Sequence, residues 1–161
     1  MIDLTEFEWK EFKVKQIFEK IEKCKCGNVS SLQVGEVPYI GATNRNNGVM
    51  SYVDATDKVT KGNCIVFICD GQGSIGYSIY KEHDFVGSTT LKVGRYSGIN
   101  RYNANFIVSA LDKNRIIYNY GYKRTEKRLK NETIYLPADI NGEPDFELME
   151  QYYGDSYENL D

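Results

Sequence analysis

No apolar run among the 161 residues approaches the roughly 20 that a membrane-spanning helix needs, and the opening MIDLTEFEWK lacks the basic end and apolar stretch of a secretory leader. The expected compartment is therefore the cytoplasm, with no membrane partner. Histidine occurs once, as His83 inside the charged stretch YKEHDF, with no nucleophile motif around it, and it is expected at the surface. Proline occurs three times, and no stretch is rich enough in Gly, Ser or Pro to mark a linker, so one folded unit over residues 1–161 is expected. The cysteines are Cys24, Cys26, Cys64 and Cys69. One residue separates the first two and four separate the last two, spacings that do not suit a zinc site. Without a secretory leader they are expected as reduced structural thiols. Also missing are a Walker loop, a paired metal-binding carboxylate motif and any Ser/His/Asp or Cys/His set. Ser88 in FVGSTTL has neither an elbow motif nor a partner base. No intrinsic catalysis, no metal and no cofactor are expected.

What is present is an uneven distribution of charge. The formal net charge is -3. Residues 1–91 hold ten basic and twelve acidic side chains, an ordinary mixed surface. Residues 92–130 hold ten basic side chains against Asp112 and Glu126, whereas residues 131–161 hold nine acidic side chains and no Lys or Arg. A basic block of this size points to a polyanionic partner. Mutual neutralisation of the basic and acidic blocks within the molecule is the competing account.

The pattern of apolar residues is mainly that of short strands. EFKV (11–14), VPYIGA (37–42), NCIVFIC (63–69), IGYSIY (75–80), STTLKV (88–93) and ETIYLP (132–137) are β-branched or aromatic runs bounded by Gly, Asn and Asp. Residues 103–112 place Phe106, Ile107 and Ala110 or Leu111 at helical spacing, with Asn103 as a cap. Pro144 and Asp145 suit the start of a second helix, with Phe146, Met149 and Tyr152 or Tyr153 as its apolar stripe. The expected class is α+β: a short-stranded, bent or barrel-like, mostly antiparallel sheet with one packed helix and one C-terminal helix.

Three loops carry side chains suited to nucleic acid. In ATNRNNGV (42–49), turn chemistry accounts for Asn47 and Gly48 but does not require Thr43, Asn44, Arg45 and Asn46. Asn and Arg are the residues that pair bidentately with adenine and guanine edges. In CDGQGSIGY (69–77), the spacing G-x-G-x-x-G is present, but a strand and turn follow it where a dinucleotide fold needs a helix. A hairpin with Gln72 and Ser74 exposed at its tip is the expected form. In YNYGYKRTEKRLK (118–130), Tyr122 precedes Lys123, Arg124, Lys127, Arg128 and Lys130, a mixture suited to phosphate contacts and to packing on sugars or bases. A solvated helix face with Glu126 as an internal partner is the alternative.

Taken in order, EWKEFKVKQIFEK (8–20), VPYIGATNRNNGVMSYV (37–53), KGNCIVF (61–67), GSIGYSIYKEHDFVGSTTLKV (73–93) and ETIYLPADINGEPDFELMEQYY (132–153) resemble a target recognition domain of the specificity subunit of type I restriction-modification systems. The PYIGATNRNNGV and LPADINGEPDFELMEQY blocks are the most distinctive. The resemblance implies sequence-specific reading of one half of a split double-stranded DNA target, without catalysis. It also implies partnership with the modification (methyltransferase) subunit and the restriction subunit, and with a second recognition domain or a second copy of the chain. Residues 144–161 would then begin the spacer helix. Lys123, Arg124, Lys127, Arg128 and Lys130 are expected at phosphates, and Asn44, Arg45, Asn46 and Gln72 at base edges, with Thr43, Ser74 and Tyr122 in support. A different class of function is an interaction protein that mimics or blocks a specificity subunit by docking its acidic segment on the modification subunit. A small hydrolase using Cys69 or His83 is a third reading, disfavoured by the missing catalytic set.

Overall fold

A computed structural model describes residues 1–54, 57–71 and 73–158. In chain order the elements are β1 (Trp9–Lys13), α1 (Val14–Ile17), β2 (Lys20–Lys23), β3 (Gln33–Ile40), β4 (Val49–Asp54), β5 (Val59–Thr60), β6 (Cys64–Ile68), β7 (Ser78–Lys81), β8 (Phe85–Gly87), β9 (Leu91–Arg95), α2 (Arg101–Asp112), α3 (Glu126–Asn131), β10 (Thr133–Pro137) and α4 (Phe146–Glu158). The strands are short and mostly antiparallel, as the apolar runs lead one to expect. They form three sheets rather than one, in the orders β1-β10, β2-β9-β6-β7 and β4-β3-β8-β5, and no closed barrel occurs among the described residues. The pairing of β3 with β8 is parallel and brings Ile40 opposite Gly87.

Strand β6 explains why the layers stack as they do. All five of its residues are buried, and successive side chains point to opposite faces. Ile65 and Phe67 enter a core with Phe18, Ile107, Leu111, Leu136 and Met149, the side occupied by α2, α4 and the β1-β10 ribbon. Cys64, Val66 and Ile68 enter a second core with Ile40, Phe85, Leu91 and Val93. Each large apolar side chain buried this way contributes about 1.5–3 kcal/mol. The continuous apolar run of NCIVFIC therefore marks a strand covered on both faces.

Helix α2 begins two residues earlier than the apolar spacing indicates. Its cap is Asn100, whose side chain accepts hydrogen bonds from the Tyr102 and Asn103 amides, both at 3.0 Å. Asn103 instead sits in the first turn and accepts from the Asn100 amide at 3.1 Å, the reciprocal half of a capping box. Helix α4 starts where Pro144 and Asp145 indicate, with Asp145 Oδ1 accepting from the Leu148 amide at 3.0 Å. Its stripe also behaves as expected: Met149 is buried, Phe146 stacks on Tyr96 at 4.8 Å, and Tyr152 and Tyr153 meet Phe106 edge-on. All four cysteines are buried and free, and burial raises the Cys24 and Cys64 thiols to about 11 and about 12. Among the described residues no helix is long and apolar enough to cross a membrane.

Candidate nucleic-acid interface

The loop between β3 and β4 is the turn that its sequence indicates. Asn46, Asn47 and Gly48 adopt φ of 50°, 52° and 81°, the left-handed region that Asn and Gly enter most readily. Thr43 Oγ1 accepts from the Arg45 amide at 3.1 Å, and Asn46 Nδ2 donates to the Val49 carbonyl at 3.3 Å. Beneath the loop, the buried ammonium of Lys81 on β7 donates to the Asn47 carbonyl at 2.9 Å, and desolvation lowers its pKa. The turn is thus held from inside, leaving Asn44 and Arg45 exposed.

This loop is tied to the glycine-rich loop between β6 and β7. Ser74 is buried rather than exposed at a tip, because its hydroxyl turns inward to the neighbouring loop. It donates to Asn44 Oδ1 at 3.1 Å and accepts from the Asn44 amide at 3.3 Å. That pair of bonds orients the Asn44 side chain and leaves its Nδ2 directed away from the bonded oxygen. Gln72 lies outside the described residues.

The glycine-rich loop is tied in turn to the basic segment. Asp70 receives Lys123 Nζ at 3.1 Å. Its pKa is lowered by the Gly71 amide first and by Lys123 second. The Arg115 guanidinium lies 4.4 Å from the Tyr77 ring centroid. Gly76 (φ 96°) lets the chains come this close, since a Cβ there would stand 3.0 Å from both Cα and the carbonyl oxygen of Arg115.

The basic segment divides into side chains with different jobs. Arg124 is fully buried and does not reach the surface expected of a phosphate contact. It pairs with Glu132 through Nε at 2.6 Å and Nη2 at 3.1 Å, and its Nη1 donates to the Tyr77 carbonyl and Ser78 Oγ. Tyr118 donates its hydroxyl to the same Glu132 carboxylate at 2.6 Å, and burial first, then that bond, raises the Tyr118 pKa. The physical reason is desolvation: a buried guanidinium needs a carboxylate and further acceptors, and Glu132 with β7 supplies them. Arg128 packs its guanidinium 3.6 Å from the Tyr122 ring centroid and donates to the Lys123 carbonyl at 2.8 Å. Lys130 pairs with Glu126 at 3.2 Å along α3, which is the solvated-face alternative at that one position. Lys127 is exposed, and its ammonium makes no ion pair among the described residues.

Loop 42–48, the described residues of the glycine-rich loop with Ser78 after it, and the segment 114–130 are therefore joined to one another by Asn44–Ser74, Asp70–Lys123 and Arg124–Ser78 contacts. Residue patterns do not single out Asp70, Arg115 or Glu132. Arg115 was visible only as one more positive charge in a basic block, and Glu132 only as the first member of an acidic one. The other chemistry-bearing residues stand apart. His83 is exposed, and Cys69 is buried with its thiol donating to the Phe67 carbonyl and its pKa raised by burial, which disfavours the thiolate.

The α+β scaffold presents amide and cationic side chains on loops that hydrogen bonds and an ion pair join to one another. The chain belongs to the type I restriction modification DNA specificity domain family, whose model matches residues 6–159. It is 31% identical over 152 residues to the type II restriction enzyme BgcI specificity subunit S.BcgI of Heyndrickxia coagulans, covering 92% of this chain and 43% of that protein. Its fold is similar to that of the type I restriction-modification S subunit from M. genitalium, with a TM-score of 0.62, 18% identity, and coverage of 94% of this chain and 41% of the other. The HsdS subunit from Thermoanaerobacter tengcongensis gives a TM-score of 0.61 at 14% identity, covering 94% and 38%. The chain thus spans less than half the length of the relatives it matches.

Proposed function

We propose that this chain is a target recognition unit that reads one half of a split double-stranded DNA sequence in a restriction-modification complex and performs no chemistry itself. The observation that carries the reading, beside family membership, is the joining of the two polar loops to the basic segment through Asn44–Ser74 and Asp70–Lys123. Lys123, Lys127, Arg128 and Lys130 hold phosphates, and Tyr122 presents Arg128 to them. Asn44, Arg45, Asn46 and Gln72 read base edges, while Thr43 and Ser74 orient the loops. Arg124 serves from within. Helix α4 begins the spacer that engages the modification subunit, and a second recognition domain or a second copy of the chain reads the other half-site. The restriction subunit joins the same assembly, which works in the cytoplasm.

Selection from a randomised duplex pool, with and without the modification subunit, tests this reading. Enrichment of one short sequence block by the chain, extended to a split site in the assembly, is the expected result. Capture of the modification subunit with no sequence enrichment would replace it by the protein-docking reading.

A further inference from the structure

The turn between α2 and α3 carries an unusual set of exposed side chains. Ile116 is 85% exposed, Ile117 53% and Tyr120 72%, within five consecutive residues. Scattered apolar residues at a surface need no explanation, but these are concentrated on a segment that is held firmly. Asn114 Nδ2 donates to the Thr133 carbonyl at 2.8 Å, and the Tyr118 ring is buried with its hydroxyl on Glu132. Asn119 and Tyr122 exchange backbone hydrogen bonds at 3.1 and 2.9 Å, and Arg115 is stacked on Tyr77. The apolar side chains therefore project from a preorganised support.

Cations lie close in the chain and beside two of the three side chains. Lys113 and Arg115 precede the isoleucines in sequence, Arg128 lines the same hollow as Ile117, and Lys123 lies 5.7 Å from the Tyr120 ring centroid. Lys127 and Arg128 follow on α3. A protein partner of ordinary composition has no reason to demand these cations, whereas a duplex offers them phosphates and, at a step that unstacks, apolar base faces. Isoleucine is among the side chains that wedge between base steps and kink a duplex, at a cost offset by the extra contacts the bend permits. We propose that Ile116 inserts into a base step of the bound duplex, with Ile117 and Tyr120 packed on the adjoining sugars. The inference rests on the DNA reading above and adds deformation of the target to it. Specificity would then include bases that no polar side chain touches, because flexible pyrimidine–purine steps open at lower cost.

The test uses the full chain and a duplex recovered by selection, with 2-aminopurine placed at successive positions and a separate end label. Label anisotropy reports binding, and 2-aminopurine emission reports unstacking. The parent chain is expected to raise emission several-fold at one step, and Ile116→Ala and Ile116→Lys to abolish the rise while still binding. Ile116→Met should restore it. Binding by the parent with no rise at any position overturns the wedge and leaves DNA recognition standing, as does a rise that survives Ile116→Ala. Absence of any anisotropy change with the parent overturns both. Loss of modification-subunit capture by Ile116→Lys with unaltered unstacking would assign the patch to a protein partner and also overturn the wedge.

Discussion

Arg124 and Glu132 form a bidentate ion pair shut off from solvent, with Nε 2.6 Å from Oε1 and Nη2 3.1 Å from Oε2. The pair joins the segment before α3 to the first residue after it, and through Tyr77, Ser78 and Tyr118 it reaches β7 and the exposed turn. Its position decides which cations remain for a ligand. The basic and acidic blocks of the sequence meet between Lys130 and Glu132, and here the first acidic residue of one neutralises a cation of the other inside the protein.

Arg124→Ala leaves the Glu132 carboxylate buried without its counter-charge. The expected loss is about 3–5 kcal/mol of unfolding free energy, read from urea denaturation. Replacing both partners by apolar residues, as Arg124→Met with Glu132→Leu, should recover most of it, since the cost lies in the orphaned charge. A double variant as unstable as the single one would mean the pair does more than balance charge.

Lys127→Ala removes an exposed ammonium with no ion pair among the described residues. Binding to duplex DNA should weaken about equally for all sequences, and the slope of log K against log salt should fall by about 1. Lys130→Ala, already paired with Glu126, should change the slope less. Anisotropy titrations at several salt concentrations measure both.

Asn44 presents a fixed amide because Ser74 holds its Oδ1. Asn44→Ala should relax preference at one base position by about 1–3 kcal/mol if that contact is bidentate. Ser74→Ala should relax the same position by a smaller amount, because the amide is still present but no longer oriented. Selection experiments that show relaxation at two different positions would separate the roles assigned to these residues.

Alkaline pH should destabilise the fold. Burial raises Cys24 to about 11 and Cys64 to about 12 from 9.0, so the unfolded chain releases thiol protons that the native state retains. Their stabilising contribution is present below pH 9.0 and falls as pH rises towards the folded values. Lys81, lowered from 10.5 by burial, opposes this trend as a single group. The urea midpoint should therefore drop above pH 9.0, and Cys64→Ala should make the drop shallower.

Much of the fold was legible in the order of residues. The uninterrupted apolar run at 64–68, the Asn-Asn-Gly turn and the Pro144–Asp145 helix start each act within a few neighbours, so local pattern suffices. The cap of α2 was displaced because Asn100 and Asn103 have the same chemistry, and only the reciprocal bonds of the box distinguish them. The division into three sheets was not legible, because alternation shows which face of a strand is apolar and not which strand lies beside it.

The candidate site divides along the same line. Residue order by itself determined that cations gather at 92–130 and that asparagines gather at 44–47. Only the tertiary structure decided that Arg124 faces inward while Lys127 faces water, that Ser74 orients Asn44, and that Ile116 stands exposed. Those outcomes depend on partners eight to forty-seven positions away, such as Glu132 and Tyr77 for Arg124. The free energy of a buried charge is set by the acceptors that surround it, and no local pattern of residues records them.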